Sequence, residues 1–131
     1  MIMNGNIALD TSVVIHYLNG NQKIVNNVLQ FDTIILPVNV VGELIFGAEN
    51  SGKKLKNLTK YFQFIDACIV LPIGRKTAEI YAQTRLNLKQ KGKPIPENDI
   101  WIAAQCIENN WTLATCDSDF TYVDTLSLMQ W

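Results

Sequence analysis

Four short apolar runs, the first three each followed by stretches patterned for helices, constrain this chain more than any other feature. They are Asn6-Ile7-Ala8-Leu9, Thr33-Ile34-Ile35-Leu36, Cys68-Ile69-Val70-Leu71 and Trp111-Thr112-Leu113-Ala114-Thr115. Each has the length and continuous apolar character of a strand buried on both faces. Ser127-Leu128-Met129 fits a further, short edge strand. The connections between the runs are much longer than a hairpin needs. Val13, Val14, Tyr17 and Leu18 fit one helical face, and Val25, Val28 and Leu29 fit another. Val38 to Ala48 is an apolar helix holding Glu43, and Leu55, Leu58, Phe62 and Ile65 form a helical stripe. Thr77 to Lys91 is a long amphipathic helix that Gly92 can cap, and a last helix starts at Asn98 or Asp99. Strands joined through helices run parallel, so the expected fold is α/β, with a parallel sheet of four or five strands flanked by helices.

With 131 residues, 48% of them hydrophobic, residues 1–131 suit one domain with one core. No apolar run approaches the ~20 residues of a membrane span, which predicts no membrane association. The start, Met1-Ile2-Met3-Asn4-Gly5-Asn6, has neither a basic stretch nor a long apolar one, so no secretory signal is expected. Three cysteines, Cys68, Cys106 and Cys116, are an odd number without metal-site spacing. Reduced thiols and a cytoplasmic location follow as expectations. A zinc site is not expected, because His16 is the only histidine and no CxxC pair occurs.

The net charge of −1 hides an asymmetry. Lys53 to Lys93 carries ten of the eleven Lys and Arg residues and only two acids, whereas residues 94–131 carry six acids and no base. An acidic metal site beside a basic track for a polyanion would have this distribution, and so would lysines that merely solvate exposed helix faces.

Acidic residues also recur where strands end or apolar helices begin. Asp10 follows the first strand, Glu43 lies among Val40-Val41 and Leu44-Ile45-Phe46, Asp99 follows Pro94-Ile95-Pro96, and Asp117 and Asp119 follow the fourth strand. Glu43 is expected near the buried side of its helix, because its neighbours are apolar. Each acid has an ordinary alternative as a helix cap, an exposed helical position or a turn residue. Thr11 and Ser12 can cap the first helix as well as Asp10 can. Taken together, the acids suggest one pocket, since ligands of parallel sheets gather beyond the carboxyl ends of the strands. Convergent carboxylates are compensated well by a hard divalent cation. His16 is expected to be partly exposed rather than catalytic. A nucleophilic Cys116 is disfavoured, because nearby carboxylates oppose its thiolate.

The sequence resembles the PIN-domain nucleases and, within them, the VapC-type toxins of bacterial toxin–antitoxin pairs. Leu9-Asp10-Thr11-Ser12, Val41-Gly42-Glu43-Leu44-Ile45-Phe46-Gly47-Ala48, Pro96-Glu97-Asn98-Asp99-Ile100-Trp101-Ile102-Ala103-Ala104 and Leu113-Ala114-Thr115-Cys116-Asp117-Ser118-Asp119-Phe120 carry the resemblance, which extends over nearly the whole chain. It implies a three-layer PIN fold and an acidic quartet of Asp10, Glu43, Asp99 and Asp117. Asp10 and Asp99 would be the firmest ligands of Mg²⁺ or Mn²⁺, and Asp119 could share or take the role of Asp117. Thr11, Asn98 and Thr115 would support the ligands. The implied reaction is endonucleolytic cleavage of RNA by metal-activated water, leaving 5′-phosphate and 3′-hydroxyl ends. The RNA could be a structured transfer RNA. Lys53, Lys56, Lys60, Arg85 and Lys89, with Lys54, Lys91 and Lys93, are the candidates for phosphate contacts. A cognate antitoxin and a homodimer are the implied protein partners. The antitoxin is expected on the stripe Leu55, Leu58, Phe62 and Ile65 with the apolar face around Leu44 and Ile45.

Other functions compete. One is a PIN-like module that holds RNA without cutting it, and another is a PIN nuclease outside toxin–antitoxin systems. A retained quartet of acids favours cleavage over the scaffold. A Mg²⁺-dependent phosphatase would want a second aspartate two residues after Asp10, and Ser12 stands there.

Overall fold

The computed structural model describes residues 5–131, so the expectation about the first four residues lies outside the described part. Five parallel strands form one sheet: β1 (Asn6–Leu9), β2 (Thr33–Pro37), β3 (Ile69–Leu71), β4 (Leu113–Thr115) and β5 (Leu128–Gln130). Their order is β3-β2-β1-β4-β5. Six α-helices flank the sheet: α1 (Thr11–Leu18), α2 (Gln22–Val28), α3 (Val38–Glu49), α4 (Lys54–Asp66), α5 (Arg75–Gln90) and α6 (Glu97–Asn109). A 3₁₀ turn at Ser118–Tyr122, which the periodicity did not foretell, joins β4 to β5.

The topology locates the site. From β1 the chain moves outward to β2 and β3, then returns across the sheet to β4 and β5. Strand order therefore reverses between β1 and β4, where crossovers diverge and leave a crevice at the carboxyl ends. Register makes those two ends level. Ala8 pairs with Leu113 and Leu9 with Ala114, and the Asp10 N–H donates to the Ala114 carbonyl at 3.2 Å. Asp10 and Thr115 thus emerge side by side from the most buried part of the sheet.

Ile7, Ala8, Leu9, Leu36, Leu113 and Ala114 are all fully buried or nearly so, as strands covered on both faces should be. Val40, Leu44 and Ala48 give α3 its buried lane, and Ile100, Ala103 and Ala104 serve α6 in the same way. Pro37 ends β2 by being its last residue and then stands at the N-cap of α3, where its missing N–H costs nothing. Pro96 does the same for α6. The helix therefore begins at Glu97, and Asp99 belongs to its first turn rather than to its cap. Gly92 ends α5 at φ 67°, with Lys93 N–H donating to Leu88 O, the 6→1 bond of a left-handed helix stop.

Candidate metal centre

Asp10 is built into the protein more firmly than a surface ligand would be. It is only 4% exposed. One carboxylate oxygen accepts from Ser12 Oγ at 2.6 Å and from the Val13 N–H at 3.1 Å, and the other accepts from Thr115 Oγ1. Asp10 is therefore the actual N-cap of α1, a role that Thr11 or Ser12 could have filled. Ser12 instead ties two chain segments together, since its Oγ also accepts from the Cys116 N–H at 3.2 Å. Burial pushes the Asp10 carboxyl up, the bonds from Ser12, Thr115 and Val13 oppose that, and the charge of Asp117 adds to it.

Asp99, Asp117 and Asp119 form the open side of the pocket. One carboxylate oxygen from each lies within 4.8 Å of the others, and all three residues are half-buried. The 3₁₀ turn creates this proximity. Asp117 caps the turn by accepting from the Asp119 N–H at 2.9 Å, and its own N–H donates to Thr115 Oγ1 at 2.9 Å. Turn chemistry and site geometry are thus the same feature here. Burial raises the Asp99 carboxyl to about 7, helped by the negative charges of Asp117, Glu43, Asp10 and Asp119. Among the described residues no Lys or Arg forms an ion pair with any of these five acids.

Glu43 departs from expectation. It is exposed rather than near the buried side of α3. The buried lane is Val40, Leu44 and Ala48, while Val38 and Phe46, equally apolar, lie on the outer face. Apolar neighbours on both sides of the helix made its inner face look wider than it is. Glu43 Oε1 accepts from Thr11 Oγ1 at 2.9 Å, which holds it at the rim of the pocket beside α1. Asn98 is bonded to Asn39, a residue that nothing in the local pattern singles out, because its partner lies 59 positions away.

An all-oxygen, acidic and uncompensated donor set fits Mg²⁺ or Mn²⁺ better than softer metals. A cation there would offset the burial, and the added repulsion, that raise the Asp99 carboxyl. Asp99, Asp117 and Asp119 offer the convergent oxygens, while Asp10 stands behind them with its oxygens committed to three donors.

The other candidates lie elsewhere. Lys53, Lys56, Lys60 and Lys89 are exposed. Lys54 pairs with Glu49 at 2.8 Å, Lys91 pairs with Asp124, and Arg85 donates to the Tyr81 hydroxyl and lies 3.5 Å from Glu97. The α4 stripe divides along its length: Leu55 is 79% exposed and Phe62 exposed, while Ile65 is buried. Leu44 is a core residue and offers no outer surface. His16 is exposed, and the Cys116 thiol is pushed up by burial and then by Asp10, which opposes a nucleophilic role. No described helix is long and apolar enough to cross a membrane.

A model of the PIN domain family matches residues 7–126. The ribonuclease VapC2 of Rickettsia felis is 30% identical over 94% of this chain and 96% of its own length. The ribonuclease VapC1 of Haemophilus influenzae strain R2866 is 27% identical over the same shares. Among solved structures, the VapBC2 complex of Rickettsia felis bound to promoter DNA contains a chain that superposes with a TM-score of 0.89 at 28% identity, covering 97% of this chain and 99% of that one.

Proposed function

The chain belongs to the PIN domain family, in its VapC-type branch, and from that premise we propose that it is a Mg²⁺- or Mn²⁺-dependent endoribonuclease, the toxin of a toxin–antitoxin pair. The observation that carries the reading is the convergence of Asp99, Asp117 and Asp119 at the switch point of the sheet, with no cationic partner among the described residues. The relatives' names, ribonuclease VapC2 and ribonuclease VapC1, support the activity. The VapBC2 complex supports an antitoxin as partner.

A bound divalent cation would supply Lewis acidity toward the scissile phosphate and toward water. The chain's own residues would hold and orient it. Asp99, Asp117 and Asp119 furnish oxygens, Glu43 closes the rim toward α1, and Asp10 steadies the floor through Ser12, Val13 and Thr115. Asp99 must lose its proton to contribute fully. Nothing in this arrangement requires a ribose 2′-hydroxyl, so the preference for RNA rests on the relatives. Transfer RNA as substrate, a homodimer and a cytoplasmic location belong to the same proposal.

The test is direct. Purified protein is incubated with bacterial RNA in Mg²⁺ or Mn²⁺ and in EDTA, beside Asp99→Asn. Cleavage that needs both metal and Asp99 is expected, and equal cleavage by the variant would exclude this site. Co-expression with the product of the neighbouring gene tests the toxin reading. A protein that stays alone and fully active beside that product would leave a PIN nuclease outside toxin–antitoxin systems.

A further inference from the structure

The outer face of α3 carries an open hollow of about 470 Å³ next to the acidic pocket. Val38, Gly42 and Phe46 form its apolar side at i, i+4, i+8, and Asn39, Glu43 and Asn98 form its polar side. Phe46 is 70% exposed, a placement that packing alone does not favour. Gly42 leaves the hollow open: a Cβ built there meets no heavy atom within 4 Å. Glu43 belongs both to this hollow and to the rim of the acidic pocket, and Asn98 precedes Asp99 directly. Anything seated here therefore lies beside the reacting phosphate of the proposed nuclease.

The polar side has a definite chemistry. Asn39 Nδ2 donates to Asn98 Oδ1 at 2.6 Å. That bond fixes both amides and leaves Asn39 Oδ1 as an acceptor and Asn98 Nδ2 as a donor, a paired edge of opposite character. An amide edge beside an exposed aromatic ring complements a nucleobase, which offers a π-face and adjacent donors and acceptors.

We propose that this hollow receives one unpaired nucleobase of the substrate flanking the scissile phosphate, with Phe46 stacking on it and the Asn39–Asn98 pair reading its edge. The inference rests on the nuclease reading above. Asn39, Gly42 and Phe46 are then specificity residues rather than catalytic ones. Stacking on one aromatic ring is worth roughly 5- to 150-fold in affinity.

Total bacterial RNA digested in Mn²⁺, followed by sequencing of the new 5′ ends, tests it. Asp99→Asn supplies the background. The wild type should favour one or two bases at a single position beside the cut. Phe46→Ala, Asn39→Ala and Gly42→Leu should flatten that preference to within about twofold, the first by losing the stack, the second the edge and the third the space. Gly47→Leu is the control, since Gly47 lies on the same helix, outside the hollow, with room for a Cβ. It should cut with the wild-type preference. Circular dichroism melts of all variants check folding. Wild-type cleavage without a base preference, or a preference that survives in the three variants, overturns this inference and leaves the nuclease intact. Such a result would give the hollow to a protein partner. No Asp99-dependent cleavage at all overturns the nuclease reading and this inference with it.

Discussion

Asp10 and Asp99 lie in the same pocket and are held in opposite ways. Asp10 is nearly inaccessible, and its charge is met by three donors, from Ser12, Val13 and Thr115. Asp99 is half-buried, and among the described residues its carboxylate receives no hydrogen bond: burial raises it first, and the repulsion of four other acids adds to that. The first is an anchored group whose geometry the fold dictates. The second is a group whose electrostatic cost the fold leaves open for a ligand to relieve. A structural carboxylate is satisfied from within, whereas a binding carboxylate is left unsatisfied until something arrives.

Breaking the open side should have the largest effect. Asp99→Asn keeps the shape and removes one charge from the proposed cation site. Cleavage in saturating Mg²⁺ should fall by more than about 100-fold, beyond what loss of a supporting partner costs. In EDTA the melting temperature should hold or rise, because one repelling charge is gone. Cleavage assays and thermal melts of the same preparations separate the two effects. A variant that loses stability in EDTA as well as activity would mean Asp99 is structural.

Breaking the anchored side should cost less activity and more stability. Thr115→Val leaves one Asp10 oxygen without its donor in a buried place. Unfolding should become easier by about 1–3 kcal/mol. Activity should fall by about 10- to 100-fold, as for other groups that orient a metal ligand, because the same hydroxyl accepts from the N–H of Asp117. Denaturant titration and kcat/KM measurements check the pair of expectations. If Thr115→Val changed activity alone, the bond its hydroxyl accepts from the Asp117 N–H would matter more than the one it gives Asp10.

The two sides should also differ in their response to pH. An ordinary aspartate titrates at 3.8, and Asp99 in the folded, metal-free protein at about 7. Between these values the folded chain holds a proton that the unfolded chain has released. Folded stability from this group therefore falls as pH rises from about 4 to about 7, and it stays low above that. Cation binding must displace that proton below about pH 7, so apparent affinity should climb with pH up to there and then level off. Melts without metal at pH 5 and pH 8, and titrations with Mn²⁺ across the same range, test both signs. Asp99→Asn should flatten both dependences in part, leaving what Asp10 contributes.

Much of this was legible in the chain. Continuous apolar runs gave the strands, and their long helical connections required a parallel sheet. Asp10 and Asp117 were visible as acids at strand ends. What was hidden depended on contacts distant in sequence. Asn39 meets Asn98 only because α3 and α6 start at the same end of the sheet. The exposure of Glu43 was hidden because α3 carries Val38 and Phe46 on its outer face, which blurs its periodicity. The 3₁₀ turn that brings Asp119 to Asp99 and Asp117 has no repeating pattern to betray it. The split of the α4 stripe between exposed Leu55 and buried Ile65 depends on which turns of that helix meet the rest of the molecule, which spacing alone does not encode.

The smallest effect is expected far from the carboxylates. Neutralising Lys53, Lys56 and Lys60 together should leave the cation site untouched and weaken RNA binding. The slope of log affinity against log salt should flatten by about 2 if all three meet single-stranded phosphates. An unchanged slope would assign these lysines to solvation of α4.

Calorimetric titration of Mn²⁺ into the metal-free protein at pH 8 tests the central claim most directly. The wild type should take up the ion, Thr115→Val should bind it more weakly, and Asp99→Asn should show no binding in the same range. Binding by Asp99→Asn equal to that of the wild type, or no binding by the wild type, would contradict a cation site built from Asp99, Asp117 and Asp119.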